Sequence, residues 1–290
     1  MARVTTSTRF RSDSDAAYRE FLATIENNMA ACGLVRTSDT GQINVATAVR
    51  VVNTVIGYSV WRFDDALQSV APVFIKLTHR ISSTVNNVTC SWEVGMATNG
   101  AGLLTGTVLT LGTRGAVSNN STDTLYTSYF THSNGMFGLA PAIEYVSTYN
   151  VPYSCIIQRT VDNNGSPTAE GVVMANGGQT NSTTNIGLLR FVAPVITVSS
   201  SAAYQTFLPY NLTDTRVGLD PQVFMHWTAL PKMKPLVGTA TYVNSEIALG
   251  TQFSLALVGV TPRNYVSIGI NLGQSASASP QMGTAMLWED

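Results

Sequence analysis

Three histidines, three cysteines and scattered carboxylates are the groups through which this 290-residue chain could do chemistry. His79 stands beside Arg80 at the end of an alternating segment, His132 opens the turn Thr131-His-Ser-Asn-Gly135, and His226 sits between Met225 and Trp227. None belongs to an H-E-x-x-H or other closely spaced metal pattern, so each reads as a structural or surface histidine. Cys32, Cys90 and Cys155 are far apart, odd in number and without a C-x-x-C pair. That predicts small buried hydrophobes in a reducing environment, not a disulfide framework. The serines lack the G-x-S-x-G elbow that would single out a nucleophile. Paired carboxylates would mark a glycosidase; Asp64-Asp65, Glu93, Glu144, Glu170 and Glu246 are the candidates, of which Glu93 and Glu144 fall on strands, but sequence cannot bring these within the required separation. Asp162-Asn-Asn-Gly165 lacks the closing glutamate of a calcium loop and reads as a turn. The glycines follow neither the phosphate-loop nor the dinucleotide pattern. The expectation is a protein that is not an enzyme, with no catalytic residue, cofactor or metal site.

Composition narrows the remaining classes. Hydrophobic residues make up 44% of the chain, enough for a substantial core, while charged residues are only 11%, against about 25% in an ordinary soluble domain. Sixteen Lys and Arg against 17 Asp and Glu leave a net charge of −1, which supplies no electropositive face for nucleic acid. No apolar run is long enough to cross a membrane, so no membrane insertion is expected. The N-terminus has no apolar core of a secretory leader, and the sequons at Asn87, Asn120, Asn181 and Asn211 read as accidents of an Asn/Thr-rich chain. A surface this poor in charge is weakly protected against association, which predicts a homo-oligomer built by symmetric contacts.

The elements that position these groups are read from periodicity. Tyr18, Phe21, Leu22, Ile25 and Met29, with Cys32, form one apolar stripe at helical spacing. Ser12, Asp13 or Ser14 can cap its start and Gly33 its end, which predicts a helix over 14–32. Its stripe is a candidate packing or assembly face. Residues 37–56 are irregular and read as a strand or an extended arm. Beyond them β patterns dominate: Tyr58–Phe63 and Pro72–Arg80 alternate, and Val88–Met96 puts Val88, Cys90, Trp92, Val94 and Met96 on one face. Thr98–Gly102 reads as a turn, Leu103–Leu111 as its returning strand, and 112–124 as a long polar loop. Later strand candidates are Leu125–Phe130, Met136–Ser147, Tyr153–Thr160, Glu170–Ala175, Ile186–Val192, Val195–Ser199, Val223–Thr228, Val237–Val243, Phe253–Gly259 and Tyr265–Ile270. Many strands without long helices between them predict a mainly β fold: an antiparallel, jelly-roll-like β-sandwich with one N-terminal amphipathic helix. Residues 1–56 form the helix and arm, and 57–290 the sandwich, with elaborated loops or a second β subdomain.

Thr8-Arg-Phe-Arg-Ser-Asp13, the helix, and Gly33-Leu-Val-Arg-Thr-Ser-Asp-Thr-Gly-Gln-Ile43 resemble the start of structural and minor tail proteins of tailed bacteriophages. Gly57-Tyr-Ser-Val-Trp-Arg-Phe-Asp-Asp65, Ala71-Pro-Val-Phe-Ile-Lys-Leu77 and Gly95-Met-Ala-Thr-Asn-Gly-Ala-Gly102 extend the resemblance over residues 8–102. It implies a non-enzymatic virion component of the tail, neck or baseplate, assembled in the host cytoplasm, with further copies and other virion proteins as partners. It brings no catalytic motif. A receptor-binding module reading a host surface glycan through loops 112–124 or 176–185 is the alternative, and a capsid decoration protein is another. An enzyme acting on cell-wall polysaccharide would need two carboxylates converging in a cleft.

Overall fold

Ser14 starts the helix because its side chain replaces a partner that the first turn lacks. Its backbone is extended and its Oγ accepts a hydrogen bond from the Ala17 amide at 3.2 Å. In the computed structural model, helix α1 runs Asp15–Ala31, with Asp15 at the positive end of the helix dipole. It stops at Gly33, whose φ of 83° is left-handed, while the Gly33 and Leu34 amides donate back to Ala30 and Met29.

The structure describes residues 2–10, 14–81, 85, 88–106, 109–117, 124–133, 136–143, 154–161, 166–176, 183–189, 196–199, 239–243, 251–255, 263–271 and 282–288. Strands in chain order are β1 (Ala2–Phe10), β2 (Val35–Arg36), β3 (Thr54–Arg62), β4 (Phe74–Ile81), β5 (Val88–Gly95), β6 (Ala97–Thr98), β7 (Leu104–Thr105), β8 (Leu109–Val117) and β9 (Thr124–Ser133). They continue as β10 (Met136–Ile143), β11 (Ser154–Val161), β12 (Pro167–Asn176), β13 (Thr183–Leu189), β14 (Ile196–Ser199), β15 (Thr239–Val243), β16 (Gln252–Leu255), β17 (Arg263–Asn271) and β18 (Met282–Leu287).

Every described pairing is antiparallel. One sheet has the order β2-β3-β4-β5-β8, a second β1-β9-β10-β11-β12-β13-β14, and a third β15-β18-β17-β16, with β6 and β7 as a small separate hairpin. The described fold is a mixed one, of several antiparallel sheets with one N-terminal α-helix. The helix shares its core with the first sheet: Tyr18, Phe21, Leu22, Ile25 and Met29 cluster with Trp61, Phe63, Ile75, Leu77, Cys90, Trp92 and Val94. Ile157 of β11 and Val173 of β12 belong to the same cluster, so the second sheet also contributes to it.

Several elements depart from the sequence reading. Residues 2–10 are a strand: β1 pairs along its whole length with β9, Ala2 opposite His132 and Phe10 opposite Thr124. The run is rich in Thr and Ser with little apolar alternation, so its strand character comes from a partner far along the chain. The returning strand after Thr98 is interrupted at Gly106, where φ is 59°, and only then does β8 begin. β8 continues to Val117, into what reads as a polar loop, because β5 offers it a bulged ladder ending at Val88 opposite Val117. The stretch before β3 is neither strand nor simple arm: residues 45–47 form a short 3₁₀ turn, capped by the Asn44 side chain. Val223–Thr228 lies outside the described residues. Residues 1–56 contribute to two sheets, through β1 in one and β2 with the start of β3 in the other.

Candidate interaction surface

The helix stripe is occupied within the chain. Tyr18, Leu22 and Met29 are fully buried, and Phe21 and Ile25 are 2% exposed. None of the five is available to a second molecule without opening this core.

The next apolar stretch behaves differently. Val49, Val51, Val52 and Val55 are 49%, 50%, 37% and 53% exposed. Val85, beyond the end of β4, is 40% exposed. Thr54 pairs with Ile81 and Val55 with Arg80, so the start of β3 and the end of β4 lie side by side. Val55 and the residues leading into β3, with Val85, are therefore gathered toward one end of the five-stranded sheet, while Val70, 61% exposed, lies in the β3–β4 connection at the other end.

This segment is held in place by the helix. Arg19 donates from Nε to the Ala48 carbonyl at 2.8 Å. The Asp15 carboxylate accepts from both the Arg50 amide, at 3.1 Å, and Arg50 Nε, at 2.9 Å. Those bonds hold the Asp15 carboxyl below its ordinary range. Asn53 then takes a positive φ of 57° and turns the chain into β3. The valines are thus displayed on an ordered backbone, which lowers the entropy cost of docking.

A second clasp orders the loop before them. The Asp39 carboxylate accepts from Thr37 Oγ1 at 2.7 Å, from the Gly102 amide at 2.8 Å and from Thr98 Oγ1. Burial opposes its charge, but these hydrogen bonds prevail and hold its carboxyl below the ordinary range. Gly102 is required there: at φ +78°, a Cβ would sit 2.2 Å from the Tyr58 ring. Tyr58 in turn donates its hydroxyl to the Thr40 carbonyl at 2.5 Å.

Among the described residues, the groups that could do chemistry are dispersed. His79 is 1% exposed, directly opposite Cys90 across the β4–β5 ladder, and its Nε2 has no hydrogen-bond partner. Burial, aided by the positive charge of Arg36, lowers its pKa to about 4. Burial pushes the Cys90 thiol up, far from a reactive thiolate. Cys32 is buried beneath the helix end. Glu93 pairs with Lys76 at 3.3 Å, Asp64 with Arg62 at 3.2 Å, and Asp65 with Arg159 at 2.5 Å. Glu170 lies on β12, His132 on β9 and Cys155 on β11, while His226, Glu144 and Glu246 fall outside the described residues. Among the described residues no three His, Cys, Asp or Glu side chains gather as a metal site, and no helix is long and apolar enough to cross a membrane.

Sequence reasoning passed over two sets of residues that matter here. The Asp15–Arg50 pin joins residues far apart in sequence, which no local pattern reveals. Arg159 did leave a signal: it is a cation on the apolar strand Ser154–Val161, in a chain with few charges. Comparison with protein-family models, with curated proteins and with solved structures gives no match.

Proposed function

We propose that this chain is a non-enzymatic structural component of a tailed-bacteriophage virion, of the tail, neck or baseplate. It acts through symmetric self-association and through contacts with other virion proteins. The observation that carries the reading is the pinned valine segment: four β-branched apolar side chains held out to solvent, on a chain with only 11% charged residues. Exposed apolar clusters of this kind mark interaction sites, and the low charge removes the usual barrier to association. The resemblance of residues 8–102 to phage structural proteins supports the same station. The seven- and five-stranded sheets stack as a sandwich in this reading, supported by the shared core of Ile157 and Val173 with Trp61, Ile75 and Trp92.

Light scattering across a concentration series tests it. A discrete oligomer well above 31.0 kDa, dispersed by Val51→Lys and Val52→Lys together, is the expected result. A monomer at every concentration overturns self-association. Immunogold labelling of phage particles with an antibody against this chain tests the station: label at one point on the tail, neck or baseplate is expected, and particles that never label overturn it.

A further inference from the structure

Strand β1 is joined to the fold by its ladder at one side and by a short link at its end. Among the described residues its one strand neighbour is β9, and between the two in the chain come the helix and the strands β2 to β8. The ladder runs from Ala2 opposite His132 to Phe10 opposite Thr124 without a register shift, whereas the β9–β10 and β11–β12 ladders are each broken by one. Strands β9 to β14 lie side by side in chain order, so β1 is the one strand added to that sheet from elsewhere in the sequence.

A ladder of this kind is made by main-chain groups, and β1 of any other copy matches β9 as well as the chain's own does. β9 needs the cover. It reads Thr-Leu-Tyr-Thr-Ser-Tyr-Phe-Thr-His-Ser, with no Asp, Glu, Lys or Arg, and an uncharged strand rich in aromatic and β-branched residues pairs indiscriminately when its edge is bare. Beyond β1 the chain is fixed at once. Only residues 11–13 separate Phe10 from Ser14, the cap of α1, and the helix is locked into the core by its stripe. β1 must therefore reach the β9 of its own copy within three residues of an anchored helix. Short links of this kind favour strand exchange, because a neighbour's sheet offers the same ladder without the tether's demand.

We propose that β1 is exchanged between copies: in the assembled protein, β1 of one copy completes the seven-stranded sheet of another by pairing with its β9, in the register that the single chain shows. This rests on the self-association of the proposed function and names its partner, a second copy, and its means. The exchanged ladder is the same ladder, so no main-chain pairing is gained or lost. The balance is set by the entropy of association against the relaxed link and the apolar contacts, the valine segment among them, that neighbouring copies then share. Reciprocal exchange closes a two-fold dimer, and handing the strand onward builds a ring or a row.

Full-length chains of two kinds are co-expressed, one with Thr6→Cys and the other, carrying a mass tag, with Ser128→Cys; the two positions are opposite each other in the ladder. Opposite Cα atoms of antiparallel strands are roughly 4.5–5.5 Å apart, within disulfide reach. Exchange predicts a disulfide between the two kinds of chain on a non-reducing gel, in up to about half of the Thr6→Cys copies when partners mix at random. Thr6→Cys expressed alone gives the background. With both substitutions in one chain, exchange yields covalent dimers or larger species, whereas a closed chain links only to itself and stays at 31.0 kDa. The adjacent pair, Thr5→Cys and Tyr129→Cys, repeats both measurements at the ladder's alternate spacing. Inserting about six Gly and Ser residues between Arg11 and Ser12 loosens the tether and should raise the share of within-chain links severalfold. Light scattering on the reduced samples reports assembly. Assembled protein that links only within chains overturns exchange and leaves self-association standing, whereas a monomer at every concentration overturns both. A share of within-chain links indifferent to the insertion, or failure of both cysteine pairs to link at all, also overturns the proposal.

Discussion

Two apolar stretches close together near the N-terminus end in opposite places. The helix residues Tyr18, Phe21, Leu22, Ile25 and Met29 are at most 2% exposed, whereas Val49, Val51, Val52 and Val55 are 37% exposed or more. Hydrophobicity alone does not separate them. The first set recurs at helical spacing and makes a single stripe that one sheet face can cover. The second follows no such period and is interrupted by Arg50, which Asp15 claims, so the backbone is tied down while its valines are left out. Burial here follows spacing and anchoring, not side-chain type.

The largest expected effect tests the buried half of this contrast. Phe21→Ala or Ile25→Ala should destabilise the chain by roughly 2–4 kcal/mol, through lost transfer energy and the cavity left behind. Urea unfolding of the isolated protein measures it. A loss below about 0.5 kcal/mol would mean that the helix lies loosely on the sheet and that the two stretches do not differ.

The same core sets an acid limit. His79 is buried and uncharged, with its pKa lowered to about 4 against an ordinary 6.5. In that window the unfolded chain binds the proton and the folded chain does not, so stability falls as pH drops below 6.5 and stops falling from this cause near 4. Between pH 7 and pH 5 the loss should be roughly 2 kcal/mol. Glu26, whose carboxyl burial raises, works in the opposite direction, because protonation relieves its buried charge. Urea unfolding at both pH values, on the native chain and on His79→Gln, measures the effect. The variant should lose most of the pH slope, and an unchanged slope would move the acid sensitivity elsewhere.

Where the sequence was legible, one local period was enough. The helix, its Gly33 end, and the alternating faces of Val73, Ile75 and Leu77 and of Val88, Cys90, Trp92 and Val94 all follow from spacing within a few residues, while of the three caps that Ser12, Asp13 and Ser14 offered the fold uses Ser14. What escaped it was set by distant partners. β1 is a strand because β9 supplies its ladder, and β8 extends to Val117 because β5 does. Asp65 and Arg159 lie in different sheet systems, so only the fold brings them to 2.5 Å.

The pin between the two stretches gives a smaller effect. Asp15→Ala removes the acceptor for the Arg50 amide and side chain and should cost about 0.5–1 kcal/mol, since the carboxylate is partly solvated. Its sharper signature is local: amide hydrogen exchange over residues 48–53 should accelerate severalfold while the β4–β5 amides keep their protection. Uniform acceleration would show that Asp15 acts on the helix as a whole and not on the valine segment.

The smallest change in stability should accompany the largest change in association. Val51 is half exposed, so replacing it with Lys leaves the monomer's stability within about 0.5 kcal/mol. If the valines form a contact between copies, each copy then places an ammonium in an apolar interface, and a two-fold interface carries the penalty twice. Dissociation at concentrations where the native chain is fully assembled, with an unchanged unfolding curve, would separate the two apolar stretches by function as burial separates them by structure. An assembly indifferent to Val51→Lys would move the contact to another surface and leave the valine segment merely exposed.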